Sequence, residues 1–304
     1  MNSVKMKQTE KRKRENRIGD SPLFHTINTI VLILTAFVCI LPFFNVLATA
    51  FSTAGHEINF LPKGFTWFNF KYILTDVGFW RALGVSVMVT VVGTLLSVLL
   101  MYAAAYALSK EDFPFRRGIM IFFIITMVFS AGMVPNYILV KTLGMTRTPW
   151  ALILPSVVQV YNMILIKSYL EGVPKELEES AKLDGANSLP PMFKVMIPVS
   201  LPCVASVSMF TAVSFWNNYT SALLYLGTEE KWYPLSLYIL NYIQTDPDVL
   251  NPTLENIQKG NIESAMVIFS ILPILLVYPF VLKFFTKGVT VGSVKGKATV
   301  ARVL

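Results

Sequence analysis

The stretch Ala82–Ser109, ALGVSVMVTVVGTLLSVLLMYAAAYALS, decides the fold class because it is predominantly apolar and contains no Asp, Glu, Lys or Arg. A helix needs about 20 apolar residues to cross roughly 30 Å of hydrocarbon, so this stretch predicts a membrane span. Five more charge-free runs have suitable lengths: Ser21–His56 with its apolar part Ile27–Phe51, Gly118–Val140, Thr148–Ile166, Val195–Thr228 and Ser264–Leu282. The sequence therefore predicts an all-α polytopic membrane protein with six transmembrane helices.

The composition argues against a soluble protein and against an enzyme. Apolar residues make up 54% of the 304 residues and charged residues only 14%, whereas soluble domains carry roughly 25% charged residues. Two cysteines exclude a disulfide scaffold. The two histidines, His25 and His56, flank the first span, and no catalytic partner is evident for Asp76, Asp112 or Asp184. We therefore expect no catalytic residue and no metal site.

Positive charge predicts the orientation in the membrane. If the N-terminus is cytoplasmic and the spans alternate, the segments inside hold 19 Lys and Arg residues and those outside hold 7. This asymmetry follows the positive-inside rule and predicts that both termini are cytoplasmic. We interpret residues 1–22 as a basic cytoplasmic segment that sets orientation, not as a nucleic-acid arm or a cleaved signal peptide. Residues 23–296 form the transmembrane domain, and residues 297–304 form a cytoplasmic tail.

Prolines and one short aromatic run modify this plan. Each proline removes a backbone donor and favours a kink, which suits a cavity or a moving gate, although prolines are also common in membrane helices. The prolines concerned are Pro42, Pro155, Pro198, Pro202, Pro273 and Pro279. The run Trp232–Thr245 is too short to span and is interpreted as an interfacial or loop element.

The predicted cytoplasmic loop 167–194 is long and locally patterned. Pro174 suits the first position of a helix, and Gly185 offers a left-handed stop, so a short helix is expected over Lys175–Asp184. Asn187 or Ser188 is suited to cap a second short helix. From the residues alone, the loop is either a docking element or a solvated connector.

Residues Glu179–Ala186, Glu-Ser-Ala-Lys-Leu-Asp-Gly-Ala, resemble the EAA loop of ABC-importer permeases. The family pattern is Glu-Ala-Ala, three residues, Gly, nine residues, then Ile-x-Leu-Pro. The spacing from Glu179 through Gly185 to Pro198 is kept. The substitutions Ser180, Val195 and Ile197 replace small by small and apolar by apolar residues.

The resemblance extends from about Phe79 to Gly296, with a core at about 79–287. It is strongest to permeases of the maltose-transporter type, in the Gram-positive polysaccharide and oligosaccharide branch. The stretches that carry it are Phe129–Pro135, Leu143–Met145, Trp216–Tyr219 and Lys287–Gly296. The resemblance implies a type I ABC importer permease fold.

The resemblance also implies how the chain would be driven. The EAA helix of such permeases is a coupling helix that sits in a groove of a cytoplasmic ATPase, and ATP-driven closure switches the membrane helices between inward-facing and outward-facing states. The implied coupling residues are Glu179, Ser180, Ala181, Asp184, Gly185 and Ala186. The implied partners are a second homologous permease, two ATPase subunits, an extracellular solute-binding protein, an oligosaccharide and membrane lipid. The chain lacks a phosphate-binding loop, so ATP and Mg belong to the ATPase subunits and no cofactor is expected here.

A substrate path is predicted from polar and aromatic residues within the spans. Such side chains either line a sugar cavity or form interhelical hydrogen bonds and an interfacial aromatic belt. Counted along one straight helix from Thr148, Gln159 and Asn162 lie ~17–21 Å into the fourth span. The candidates are Asn136, Tyr137, Gln159, Asn162, Trp216, Asn217, Asn218 and Tyr219. The acidic outer loop 229–263 is a candidate contact for the binding protein.

A secondary, ion-coupled solute carrier is the alternative function. Such carriers usually keep an ionisable group within the membrane, and all six predicted spans lack one. The preferred interpretation is a permease subunit of an ATP-driven sugar importer in the bacterial cell membrane.

Overall fold

The structure is a computed structural model that describes residues 22–53, 60–174, 176–177, 192–245 and 259–300, with side chains as far as Pro279. Its helices are α1 (Pro22–Ala50), α2 (Phe68–Thr75), α3 (Val77–Ser109), α4 (Arg116–Val128), α5 (Met133–Thr142), α6 (Trp150–Ile153), α7 (Val160–Glu171), α8 (Ile197–Trp216), α9 (Tyr219–Leu226), α10 (Leu235–Gln244) and α11 (Lys259–Val300). Within these described ranges, β-structure is limited to one isolated bridge between Ser52 and Phe65. The predicted all-α class is confirmed.

Four helices are long and apolar enough to cross a membrane: Pro22–Ala50, Val77–Ser109, Ile197–Trp216 and Lys259–Pro279. Two bent pairs, Arg116–Val128 with Met133–Thr142 and Trp150–Ser156 with Val160–Glu171, bring the number to six if each pair is one span. The polytopic architecture is confirmed with four to six spans.

The third predicted span, Gly118–Val140, does not form one straight helix. Helices α4 and α5 replace it and meet at an angle of 112°. Phe129 ends α4 in an extended conformation, and Gly132 precedes α5 with a φ of 89°, which favours glycine. The expectation of a continuous helix was wrong because hydropathy depends on composition alone, and the break depends on the backbone angles of Phe129 and Gly132.

The fourth predicted span, Thr148–Ile166, is also broken. A 3₁₀ turn over Leu154–Ser156 contains Pro155, and the two parts of the run differ in direction by 48°. Gln159 is extended and immediately precedes α7. The membrane depth counted for Gln159 and Asn162 along one straight helix is therefore wrong. The chain remains helical through Pro42, Pro202, Pro273 and Pro279.

The fifth predicted span, Val195–Thr228, divides into α8 and α9. The side chain of Asn218 accepts a hydrogen bond from the Ser221 amide at 3.2 Å and starts the second helix. Within Trp232–Thr245, a 3₁₀ turn at Glu230–Trp232 is followed by α10, whose 10 residues extend only about 15 Å. This length confirms that the aromatic run is too short to span.

The chain divides into two compact units. The first comprises Met1–Phe70 and Asn251–Ile268. In its described part, the buried Asn69 amide donates to the Ala50 carbonyl at 2.8 Å and to the Ser52 carbonyl at 3.1 Å. The buried Asn261 amide donates to the same Ser52 carbonyl at 2.8 Å, so these bonds fasten the end of α1 to the start of α11.

The second unit comprises Lys71–Leu250 and Phe269–Leu304, and α3 lies at its centre. Helix α3 packs against α7 and α8, which also pack against each other. One hydrophobic cluster includes Val89, Phe215 and Leu226, and another includes Met101, Met163 and Val207. The three-helix packing places the ends of α7 and α8 next to α3.

Three predicted segments lie largely outside the described residues. They are the basic segment 1–22, the coupling residues Glu179–Ala186 and the tail 297–304. The backbone of α11 continues to Val300, so the tail predicted to start at Lys297 begins within this helix.

Candidate coupling and substrate-path sites

Both ends of the predicted coupling loop enter the same hydrophobic cluster. Leu170, near the end of α7, is buried in it. Met192 and Met196, from the π-helical turn Met192–Met196 that precedes α8, are buried in it as well. Met101 and Tyr102 of α3 complete the contact. The loop therefore leaves and re-enters the protein core at one place, where three helices meet.

Hydrogen bonds connect the helices at this place. The Ser200 hydroxyl donates to the Met196 carbonyl at 2.6 Å. Because a hydroxyl has one proton, the Tyr102 hydroxyl is then the donor in its 3.0 Å bond to Ser200. The Tyr169 hydroxyl donates to the Val199 carbonyl at 3.3 Å and joins α7 to α8. These bonds join α3 and α7 to α8 at the two ends of the loop.

An ion-pair cluster lies at the entrance of the loop. One carboxylate oxygen of Glu171 accepts from Arg116 and, at 2.8 Å, from Lys167. Arg116 starts α4, so these pairs tie the bent third segment to the end of α7.

The predicted coupling residues Glu179, Ser180, Ala181, Asp184, Gly185 and Ala186 lie outside the described residues. The chain just before them is described at Glu176 and Leu177, which are helical and exposed. The Leu177 amide donates to the Pro174 carbonyl at 3.3 Å. The helix over Lys175–Asp184 stays a prediction.

Asn162 and Gln159, two of the predicted path residues, lie side by side at the start of α7. The Asn162 amide donates to the Gln159 side-chain oxygen at 2.6 Å and to the Thr211 hydroxyl of α8 at 3.2 Å. Asn162 is 5% exposed, and Thr211 is fully buried. In this chain, Asn162 thus serves as an interhelical hydrogen-bond donor. Sequence reasoning missed Thr211, although a polar residue within the fifth apolar run was a usable signal.

The consecutive residues Trp216, Asn217, Asn218 and Tyr219 lie at the junction of α8 and α9. Trp216 lines a mainly apolar cavity of about 200 Å³ formed by α3, α8 and α11, with Thr90 and Tyr278 also in the lining. Asn217 is exposed, while the Asn218 side chain caps α9. Tyr219 is 49% exposed. The side chains at this junction therefore differ in role, and Trp216 faces a mainly apolar environment.

Asn136 and Tyr137, on α5, lie against a different part of the unit. Asn136 is exposed, and the Tyr137 ring stacks on Tyr225 of α9 with 6.3 Å between centroids and 4° between planes. The structure therefore places the predicted path residues in three groups: the start of α7, the α8–α9 junction, and α5 beside α9.

A hydrogen-bonded corner between α10 and the start of α3 was not predicted. Asp76 accepts from the Gly78 amide at 2.8 Å and from the Tyr238 hydroxyl at 2.5 Å. Ser86 accepts from the Leu235 amide at 2.7 Å. Burial, followed by the bond to Asp76, raises the pKa of Tyr238. The Asp76–Tyr238 and Ser86–Leu235 pairs were missed because their partners are widely separated in sequence and no local pattern links them.

Long apolar helices combined with two bent helix pairs are typical of membrane transport proteins. The chain belongs to the family of binding-protein-dependent transport system inner membrane components, which matches residues 101–291. It is therefore the multi-pass membrane component of such a system and not its ATP-hydrolysing subunit. The resemblance stated from the sequence is confirmed.

Two relatives share most of the length of the chain. The polygalacturonan/rhamnogalacturonan transport system permease protein YtcP of Bacillus subtilis is 38% identical, covering 87% of this chain and 96% of the relative. The arabinooligosaccharides transport system permease protein AraQ of Halalkalibacterium halodurans is 30% identical, covering 91% and 98%. Neither relative favours the ion-coupled carrier.

A solved structure is similar over nearly the same length. It is a chain in the crystal structure of a bacterial ABC transporter involved in the import of the acidic polysaccharide alginate. The TM-score is 0.80 at 29% identity, and the match covers 86% of this chain and 96% of that chain. This likeness confirms the importer-permease fold.

Proposed function

We propose that the chain is one of two homologous permease subunits of an ATP-driven oligosaccharide importer. Its relatives are named for the transport of polygalacturonan, rhamnogalacturonan and arabinooligosaccharides, and its structural neighbour for alginate import. These names support an oligosaccharide as the substrate class. In this proposal the second permease subunit completes the translocation path.

The single observation that carries the proposal is the convergence of both ends of the loop 167–194 on one buried cluster. Leu170 and Met196 lie in the same cluster as Met101 of α3. Because a close-packed core transmits displacement instead of absorbing it, a push on the loop would shift three membrane helices. This is the property that a coupling element requires.

The proposed partners follow from this assignment. Glu179–Ala186 would dock into a cytoplasmic ATPase subunit, with Glu179 as the polar contact, Ser180 and Ala181 as close-packed positions, and Gly185 as the turn. Two ATPase subunits would bind and hydrolyse MgATP. An extracellular binding protein would deliver the oligosaccharide, and both termini of the permease would be cytoplasmic.

The path residues are proposed with different roles. Exposed Asn136, Asn217 and Tyr219 are free to contact sugar hydroxyl groups or rings. Gln159, which is bonded to buried Asn162, would hold the bend before α7. Trp216 would close the path by packing, because the side chains that line its cavity are mainly apolar.

The test is purification of the tagged chain from native membranes, followed by identification of the proteins that copurify. Gly185→Trp and Glu179→Leu should each reduce recovery of the ATPase subunit and abolish sugar uptake while leaving the permease in the membrane. Gly84→Leu is the control because a side chain at Gly84 meets open space. Uptake that persists when Glu179 and Gly185 are both replaced would overturn the coupling assignment.

A second arm separates the importer from the carrier. Uptake of labelled pectic or alginate-derived oligosaccharides is measured in vesicles after ATP depletion and after collapse of ion gradients. The proposal requires loss of uptake in the first condition and its persistence in the second. The opposite pattern would assign the chain to ion-coupled transport.

A further inference from the structure

The turn that joins α3 to α4, residues 110–117, exposes an aromatic ring in a strained conformation; we call it the α3–α4 corner. Phe115 has a φ of 57°, in the left-handed region that bulky L-residues rarely adopt. Its side chain is 87% exposed. Packing within the chain therefore does not compensate for the strained backbone, and contact with something outside the chain would.

Two residues earlier, Phe113 has the opposite environment. It packs against the buried cluster that contains Met101 and Met163. The Arg116 amide donates to the Phe113 carbonyl at 3.4 Å, so α4 starts directly from this anchored residue. The corner is thus fixed to the core by Phe113, and the left-handed turn directs Phe115 away from the core.

A recess of about 910 Å³ opens beside Phe115. It is lined by Glu111, Phe115, Arg116, Arg117, Gly118, Met120, Ile121 and Lys167. Glu171 neutralises part of the charge of Arg116 and Lys167, because it pairs with both. Arg117 is exposed and makes no hydrogen bond or ion pair within the described part of the chain. Glu111 also lines the recess, so the lining together with Glu171 carries one net positive charge, and Arg117 is the exposed cation among these side chains.

The surface that continues from the recess is apolar. No side chain of α4 is fully buried, although Ile119, Met120 and Phe123 pack against the cluster that contains Met101. Ile121 and Phe122, which follow the corner, are 57% and 61% exposed. A cationic recess that borders an exposed apolar helix matches the boundary between lipid headgroups and hydrocarbon, where Arg side chains bury their apolar stems and keep their charge in water.

We propose that the α3–α4 corner binds an anionic phospholipid headgroup at the membrane surface. The Arg117 guanidinium pairs with the lipid phosphate, and the Phe115 ring inserts among the upper acyl chains. Guanidinium donors match phosphate geometry, and insertion of Phe115 compensates for its left-handed backbone. The inference requires only that the corner lies at a membrane surface, and it does not depend on which solute is carried.

The experiment uses the full chain in lipid nanodiscs. Phe115→Trp places a fluorophore at the corner, and its emission is obtained as the difference from the unsubstituted chain. Quenching by brominated phosphatidylglycerol is compared with quenching by brominated phosphatidylcholine at equal mole fraction. We expect about a fivefold preference for the anionic lipid, which corresponds to one Arg near an anionic surface.

Arg117→Gln in the same background should abolish this preference, so that both lipids quench about equally. Arg81→Gln is the matched control, because Arg81 is an exposed arginine near the other end of α3 and its loss should leave the preference unchanged. Retention of phosphatidylglycerol by the unsubstituted chain and by Arg117→Gln, measured by native mass spectrometry, gives the same comparison without the fluorophore.

Three outcomes would overturn the proposal. Equal quenching by both lipids would show that the corner does not select anionic headgroups. If inorganic phosphate protected the fluorophore from quenching in phosphatidylcholine discs, the recess would be assigned to a soluble anion. Loss of ATPase recovery in Arg117→Gln with unchanged lipid preference would assign the corner to a protein contact.

Discussion

The Phe215 ring of α8 lies directly over Gly93 of α3, so that a Cβ atom placed on Gly93 would come within 2.9 Å of three ring carbons. Gly93 is buried, and Phe215 belongs to the cluster that joins α3, α8 and α9. Small residues allow helix backbones to approach closely in membranes. This contact therefore sets the separation of α3 and α8 in the middle of the second unit.

Gly93→Ala is expected to lower the free energy of unfolding by about 1–3 kcal/mol, because the added methyl group overpacks against an aromatic ring. The measurement is the unfolding equilibrium of the chain in nanodiscs. Gly84→Ala on the same helix is the control and should raise stability by about 0.5–1 kcal/mol, since its added methyl group meets open space and Ala favours the helix over Gly. Equal effects at both positions would show that α3 and α8 do not pack at Gly93.

The bond between Asn162 and Thr211 should be measurable as a coupling energy. A double-mutant cycle with Asn162→Leu and Thr211→Val is expected to give about 0.6–1.7 kcal/mol, between the average and the maximum for hydrogen bonds between membrane helices. Ser208 on α8 donates instead to its own helix at the Val204 carbonyl. A cycle of Asn162→Leu with Ser208→Ala should therefore give a coupling energy near zero. A coupling energy near zero in the first cycle as well would place Asn162 in contact with solvent or substrate.

The Tyr102–Ser200 hydrogen bond is expected to help couple ATP hydrolysis by the partner subunits to sugar transport. Tyr102→Phe removes the donor of this bond, which lies just after the predicted coupling loop. The free energy of the bond, about 0.5–1.5 kcal/mol, would be lost, and sugar transport per ATP should fall roughly two- to tenfold. Tyr106→Phe, one turn further on α3, keeps the ring that lies 4.2 Å from the Lys110 amine. It should leave transport per ATP unchanged. If Tyr102→Phe and Tyr106→Phe lower transport per ATP equally, the effect does not depend on the Tyr102–Ser200 hydrogen bond.

Alkaline pH should destabilise the corner between α10 and α3. Burial and the bond to Asp76 raise the pKa of Tyr238 above its usual value of 10.0. Above pH 10.0 the folded chain consequently keeps a proton that the unfolded chain releases, so stability falls as pH rises from there. Tyr238→Phe should show a smaller decline when unfolding is measured from pH 8 to pH 11.

Ser86→Ala is the control for this pH dependence. It removes the acceptor of the Leu235 amide in the same corner and introduces no titratable group. Its stability should be lower by a constant amount across the pH range. A Tyr238→Phe profile parallel to that of the unsubstituted chain would show that Tyr238 does not titrate differently on unfolding.

The sequence predicted the helical membrane class and the coupling loop from properties that need no tertiary contact. Hydrocarbon thickness limits span length, and the resulting runs appear in the structure as long helices or bent pairs. The spacing of Glu179, Gly185 and Pro198 identified the family, and the family match over residues 101–291 confirms it. These conclusions depend on composition, length and local order along the chain.

Tertiary structure decided where the runs break and which polar residues meet. The bend between α4 and α5 depends on backbone angles at Phe129 and Gly132 that hydropathy does not encode. Asn162 finds Thr211 only because α7 packs on α8. The same sequence pattern allows a polar side chain in a span to face either a cavity or a neighbouring helix. Only the packing of the helices selects between these environments.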